Sequence, residues 1–368
     1  MRHPDPTPTM FGDRLPEGAR RGRGAAVNPA GRFERHARES VDDGWPADEV
    51  PAPLRTTVSV DATRTIIARN TSPDVPFDRS INPYRGCEHG CIYCFARPSH
   101  AHLGLSPGLD FETRLVVKPR AAELLDRELR RPGYACRPIA IGTNTDPYQP
   151  IERNHRIMRQ VLGVLEAHCH PVTITTKGAA VVDDLDILGR MGRAGLAQVT
   201  VSLTTLDTRI SRAMEPRAAA PGRRIAAIRA LARAGVPVGV NIAPVVPGLT
   251  CHELERLMEA AAEAGAGFAG WIALRLPREV AGLFREWLER EFPGRAAKVL
   301  GRVREMHGGQ DYDPAWGRRL TGEGVHASLL ARRFEVARTR LGLARRPAAL
   351  RCDLFRPPPR AGDQLTLF

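Results

Sequence analysis

From residue 78 onward, short β-branched runs alternate with longer amphipathic ones, and this alternation restricts the possible folds more than any other feature. The pattern predicts strands over residues 80–84, 138–143, 171–177, 197–205, 236–245 and 267–276. Between them it predicts helices over 154–169, 181–193, 221–234, 251–264 and 279–291, with another at 121–130 inside the long first connection. Three helical patterns run into Gly195, Gly235 and Gly265, where a left-handed terminating residue suits glycine. In "AIRALARAGVPVGVNIAPV", Ile228, Leu231 and Ala232 form an inward stripe, Gly235 stops the helix, and a β-branched run follows. Strands joined by helix-length crossovers must run parallel. Six such units fit either a doubly wound sheet or a barrel, and periodicity does not choose between them.

Outside this core the pattern changes. Residues 1–55 are rich in Pro, Gly and Arg, lack periodicity, and read as a largely disordered segment, with "NPAGRFERHARES" (28–40) as a candidate docking exception. Beyond residue 291 a helical, basic extension is expected to residue 350; Leu329, Leu330, Phe334, Ala337 and Leu341 recur there at helical spacing. "RPPPRAGD" then reads as an extended linker within a final segment, 351–368. The organisation expected is therefore 1–55, a β/α core over 56–291, the extension 292–350 and the tail.

No stretch approaches the ~20 uninterrupted apolar residues of a membrane helix, and the N-terminus lacks an apolar core of secretory type, so no membrane partner and a cytoplasmic location are expected. The net charge is +13 and favours polyanionic partners such as nucleic acid. Lysine occurs only at positions 118, 177 and 298, which suggests a compositional preference for arginine. That preference does not explain the excess over acids. Residues 318–360 hold eleven arginines against Glu323, Glu335 and Asp353, so most of the net charge resides there, as a nucleic-acid-facing or a merely solvated basic surface.

The seven cysteines are an odd number, and three of them, Cys87, Cys91 and Cys94, lie within "GCEHGCIYC". Clustering of this kind points to reduced thiols serving a metal rather than to disulfides. Three thiolates leave a fourth corner open. A structural zinc site is normally closed by a fourth ligand, for which His89 is the local candidate, though its place between two cysteines strains tetrahedral ligation. An iron-sulfur cube held by three thiolates keeps one iron free for an exogenous ligand.

The C-x-x-x-C-x-x-C spacing, with an aromatic before the last cysteine and just after the first strand of a β/α series, resembles the radical S-adenosylmethionine (radical SAM) superfamily. "DRSINPYRGCEHGCIYCFARPSH", "IAIGTNTDPYQPIER", "TITTKG", "TVSLTTLD", "MEPRAAAPGRRIAAIRALARAGVPV" and "NIAPVVPGL" are similar to the branch related to spore photoproduct lyase, often labelled DNA repair photolyase. The resemblance runs from about residue 55 to 350. It implies a partial (β/α)6 barrel of α/β class and a [4Fe-4S] cluster held by Cys87, Cys91 and Cys94. It also implies S-adenosyl-L-methionine chelated at the open iron, and a low-potential donor such as flavodoxin or ferredoxin. One electron then yields methionine and a 5′-deoxyadenosyl radical that takes hydrogen from substrate.

The same resemblance assigns further residues. Tyr93 would pack near the adenine, or else serve as a core aromatic. Thr145 and Asp146 would accept from the methionyl ammonium, or form a turn ahead of Pro147. Ser202 and Thr204 match a position that contacts ribose and carboxylate, or are plain strand-end hydroxyls. Glu215 and Arg224 would bring an arginine to the methionyl carboxylate, or form a buried pair. Asn241 would meet adenine or ribose, and Lys177 is a further candidate. One departure concerns substrate. Spore photoproduct lyases carry a hydrogen-donating cysteine near the end of the second strand, where this chain reads "GTNTD"; Cys136 precedes the strand and is expected at the opposite end of the barrel.

The last five residues, "QLTLF", resemble the peptide that docks bacterial repair proteins onto the DNA sliding clamp, through Gln364, Leu365, Leu367 and Phe368. The reading is a radical SAM enzyme acting on nucleic acid, with DNA preferred. Its alternatives are a radical SAM enzyme modifying a protein or small metabolite, and a non-catalytic metal-containing DNA-binding module.

Overall fold

The computed structural model describes residue 18 and residues 20–34 and 52–359. In chain order the strands are β1 (Thr57–Val60), β2 (Ala68–Arg69), β3 (Arg79–Ile81), β4 (Tyr84–Arg85), β5 (Arg114–Val117), β6 (Ile139–Ile141), β7 (Val172–Thr176), β8 (Ala197–Leu203), β9 (Val238–Val245) and β10 (Phe268–Ala273). The larger sheet runs β10-β9-β8-β7-β6-β3-β2, with β3 and β6 to β10 parallel and β2 antiparallel at the edge. No pairing between β10 and the opposite edge closes the ring among the described residues.

The two faces of this sheet differ. Along β7, Val172 and Ile174 are buried while Thr173 and Thr175 stay partly exposed, and along β9 Asn241 and Ala243 are partly exposed between buried neighbours. A doubly wound sheet, covered on both faces, reads as continuous apolar strands. Here one face packs under helices and the other lines an open concavity, as in a partial barrel. All six expected core strands form. The first is split, because Asn82 and Pro83 interrupt it: proline offers no ladder N–H, and the Asn82 side-chain Oδ1 accepts from the Asn144 N–H at 3.0 Å. The helix Glu279–Glu291 matches its expected span, and Gly195, Gly235 and Gly265 end their helices with φ of 73°, 79° and 99°.

Three expectations need correction. Residues 20–34 are ordered against the core: Ala25 and Ala26 are fully buried, because Val27 and these alanines fill an apolar niche with Leu109 and Trp287. The rest of the N-terminal segment lies outside the described residues. In the helix Gly324–Arg340 the buried stripe is Ala327, Leu330, Phe334 and Ala337, while Leu329 is 52% exposed, since this helix packs on Leu254–Glu263 through one narrow face. Residues 351–359, expected as linker, are partly pinned. The Arg351 N–H donates to Gly195 O, the Arg356 N–H to His168 O, and Phe355 packs tilted against Tyr134 and edge-on to His170. Residues 364–368 lie outside the described residues.

Candidate active site

The cysteine loop emerges from β4 and is fixed by buried polar groups rather than by regular structure. The Cys87 N–H donates to Phe111 O at 2.9 Å, the Ile92 N–H to Met214 O at 3.0 Å, and the Glu88 N–H to the Gln149 side chain at 2.8 Å. Arg97, fully buried, is its main brace: Nε donates to Cys91 O at 2.9 Å, Nη2 to Gly90 O at 3.2 Å, and the same nitrogen pairs with Glu112 at 2.5 Å. The Glu112 carboxylate also accepts from the Gly24 and Ala25 N–H groups, both at 2.9 Å. The N-terminal strap thus closes over the loop so tightly that a Cβ on Gly24 would stand 2.0 Å from Gly90 O. Only glycine fits there.

Replacing Glu112 by alanine strands a buried guanidinium and two backbone donors. We expect a loss of about 3–5 kcal/mol, read as a lowered midpoint in urea with an unchanged slope.

All three clustered thiols are free; Cys87 and Cys91 are buried and Cys94 partly so. Burial pushes the Cys91 thiol up to about 12, with Glu215 adding to it, and pushes Cys87 well above its ordinary value. Such thiols hold their protons until a cationic centre replaces them. Among the described residues no three His, Cys, Asp or Glu side chains converge on one metal ion, and His89 turns its Nδ1 to Asp146 at 3.4 Å. His89 is thus committed to Asp146 rather than to the thiols. Three soft thiol donors on one loop, with no fourth protein ligand, fit an iron-sulfur cube, whose ligands each take a different iron.

Behind Cys91 lies a buried polar network. Tyr93 donates its hydroxyl to Glu215, Thr204 Oγ1 donates to the same oxygen at 2.6 Å, and Arg224 pairs with the other. Arg224 also donates to Ser202 O at 3.1 Å and Ala219 O at 2.7 Å. Burial by itself would raise the Glu215 pKa, but Arg224 and Lys177 outweigh it and hold it below the ordinary value. Tyr93 is pushed well above its ordinary value by burial, by Cys91 and by Glu215, so it remains a phenol donor.

The structure brings Tyr93, Thr204, Glu215 and Arg224 together, and β8–β9 pairing sets Ser202 directly beside Asn241. Gly270 is the next partner along this row, and a Cβ there would lie 3.5 Å from Asn241 Oδ1. Among the described residues the Asn241 side chain makes no hydrogen bond; it faces the concavity, partly exposed.

Two assignments change. Arg224 is 1% exposed and committed to Glu215 and two carbonyls, so the buried pair holds and the carboxylate grip does not. Asp146 is filled by protein donors: Oδ1 accepts from Tyr148 N–H and Thr176 Oγ1, and Oδ2 from Lys177 N–H beside His89. Burial alone would raise its pKa, yet His89 and these donors hold it at about 2. It braces the β6 and β7 loops. Thr145 is buried and donates Oγ1 to Tyr84 O at 2.9 Å.

Sequence reasoning missed Arg97, Glu112 and Gln149, whose partners are 6 to 89 residues away; only their apolar neighbours hinted at burial. It also undervalued Lys177. This ammonium sits 5.7 Å from the Tyr93 ring centre and makes no hydrogen bond or ion pair with any described residue. Cys136 precedes β6, as expected, and lies beside Cys352 away from the cysteine loop.

No helix among the described residues is long and apolar enough to cross a membrane. Among known proteins, the family description "Radical SAM superfamily" matches residues 81–261. An uncharacterized protein of Mycobacterium tuberculosis is 38% identical over 260 residues, covering 70% of this chain and 75% of its own. One of Methanocaldococcus jannaschii is 23% identical over 214 residues, covering 58% and 76%. Among solved structures, a spore photoproduct lyase variant shares the fold with a TM-score of 0.56 at 17% identity, covering 78% of this chain and 80% of its own. A partial β/α barrel, a loop of three free thiols at its open end and this family match lead to one conclusion: the chain belongs to the radical SAM superfamily, enzymes that work with a [4Fe-4S] cluster, S-adenosyl-L-methionine and an external reductant.

Proposed function

We propose that this radical SAM enzyme acts on DNA, with Cys87, Cys91 and Cys94 holding the cluster at the mouth of the barrel. A cluster held by these three thiolates would supply, when reduced, the single electron for reductive cleavage of S-adenosyl-L-methionine that is this family's chemistry. The chain's own residues bind, orient and exclude water. The observation that carries the reading is the trio of free thiols on a braced loop beside a concave polar strand face.

Lys177 is the free cation for the methionyl carboxylate, in place of Arg224. Asn241 and Ser202 would offer polar groups to ribose or adenine, and Thr145, whose hydroxyl is bonded to Tyr84 O, would shape the ammonium end from behind. Lys177→Met is expected to weaken equilibrium binding of S-adenosyl-L-methionine about 10- to 100-fold, the worth of a charge-assisted hydrogen bond.

DNA as substrate draws support from the net charge of +13 and from a solved spore photoproduct lyase holding AdoMet and a dinucleoside spore photoproduct. One observation favours the protein-or-metabolite alternative: Arg318, Arg319, Arg333, Arg338, Arg340 and Arg351 pair with the chain's own carboxylates, leaving the C-terminal basic surface less charged than its sequence suggests. A flavodoxin or ferredoxin is the donor of the right potential. Docking to a sliding clamp rests on the pattern of residues 364–368 alone.

The test is anaerobic reconstitution, reduction with dithionite, and assay of 5′-deoxyadenosine with undamaged and ultraviolet-irradiated DNA. DNA-dependent product with a change in DNA mass supports the reading. Cleavage indifferent to all DNA, with every oligonucleotide unaltered, overturns it.

A further inference from the structure

The arginines around the barrel mouth are nearly all neutralised. Arg319 pairs with Asp74 at 2.5 Å, Arg318 with Asp313 at 3.1 Å, and Arg285 and Arg304 both with Asp311 at 2.8 Å. Arg275 is not so paired. It lies two residues beyond the C-terminal end of β10, within electrostatic reach of Cys94, and no carboxylate pairs with it among the described residues. Its charged neighbour is Arg319, and its hydrogen-bond partner is the Tyr312 hydroxyl. A partly buried guanidinium without a carboxylate partner is a place where an anion gains much.

Arg275 also stacks on Phe95, with its guanidinium carbon 4.3 Å from the ring centre. Phe95 directly follows Cys94, yet it is 41% exposed, although the adjoining loop buries most of its apolar residues. A guanidinium stacked on a ring keeps its in-plane N–H edges free for a phosphate. The exposed part of the ring offers an apolar platform at the site's edge. The segment carrying Tyr312 and Arg319 is tied to this rim by the Ala273 N–H, which donates to Leu320 O at 2.8 Å.

We propose that Phe95 and Arg275 form the seat for an unpaired DNA strand: the ring stacks one unstacked base while the guanidinium takes the adjoining phosphodiester. The proposal rests on the DNA reading above and names the part of the surface that meets the strand. The chemistry favours an unpaired strand, because a base inside a duplex cannot present its atoms to a concave interior, whereas an unstacked one can. A ring beside an unpaired cation is the pairing that single-strand sites use, and it tolerates any base.

The test is fluorescence anisotropy of a labelled oligothymidylate against anaerobically purified, cluster-loaded protein, over a range of salt. Phe95→Ala is expected to weaken binding roughly 5- to 150-fold, the range for loss of one stacked base. Arg275→Gln should weaken it and flatten the slope of log affinity against log salt by about 0.7, one single-strand phosphate contact. Phe95→Trp and Arg275→Lys preserve ring and charge and should retain binding, so they keep the idea testable where alanine or glutamine disturbs the fold. Binding by the wild type with Phe95→Ala and Arg275→Gln within twofold of it overturns the seat and leaves the DNA reading standing. A Phe95→Trp variant that folds but binds no strand overturns the seat as well. No binding by the wild type, even at low salt, overturns both.

Discussion

Cys91→Ala is expected to purify without iron or acid-labile sulfide and to form no 5′-deoxyadenosine above background. Two thiolates leave two corners of a cube unheld, and the loop offers no replacement, since His89 is turned to Asp146. Folding should survive. Cys91 is 8% exposed and its side chain is small, so the cavity costs about 1–2 kcal/mol, and the far-ultraviolet dichroism of the variant should match the parent. Cys169→Ala removes a free thiol at the end of a helix, ahead of β7, and should keep its iron. Iron retained at parental level in Cys91→Ala, or lost equally from Cys169→Ala, would remove the assignment of the cysteine loop.

The second large effect concerns stability. Glu215→Ala leaves the Arg224 guanidinium buried without its counter-charge, and Tyr93 and Thr204 without their acceptor. The expected loss is about 3–5 kcal/mol, measured by urea denaturation. Replacing Glu215 and Arg224 together by apolar residues should cost less than the sum of the single changes, because the stranded charge goes with its partner. The pH dependence follows from the depressed Glu215 pKa. The contribution is fully present above about pH 4.3, the value of an unfolded glutamate, and is lost as pH falls through the lower folded value. Asp146, held at about 2, acts in the same direction, its share disappearing between about pH 4 and 2. A Glu215→Gln variant should therefore show a flatter fall in stability below pH 4.3 than the parent. Equal acid sensitivity in the two would mean that Glu215 is not the titrating group.

The two effects differ in what they probe. Cys91 is the proposed donor to a bound group, and its loss should leave the scaffold intact. Glu215 never needs to touch that group. It holds the phenol of Tyr93, and through Arg224 the end of β8, in the positions the concavity requires. A variant at Glu215 that remained folded would be expected to bind S-adenosyl-L-methionine more weakly through misplacement alone.

Much of this protein is legible in one dimension. Strand periodicity, helix-length crossovers and terminating glycines are local properties of a chain, so six core strands and the helix Glu279–Glu291 could be read directly. The thiol trio is local too, since all three donors fall within nine residues and need no long-range contact to be recognised. What only the tertiary structure decided depends on which distant groups share a dry interior. Arg224 reads as a ligand for a carboxylate until Glu215 and two backbone carbonyls are found on its donors; Asp146 reads as an acceptor for an ammonium until four protein donors take its lone pairs. The N-terminal strap looks unstructured because its own sequence has no period, and its order comes from Glu112, 88 residues away from Gly24. The net charge shows the same limit: a count of arginines cannot tell which of them already face a carboxylate. A buried charge is stabilised only by the particular partner that folding brings to it, and sequence spacing carries no record of that partner.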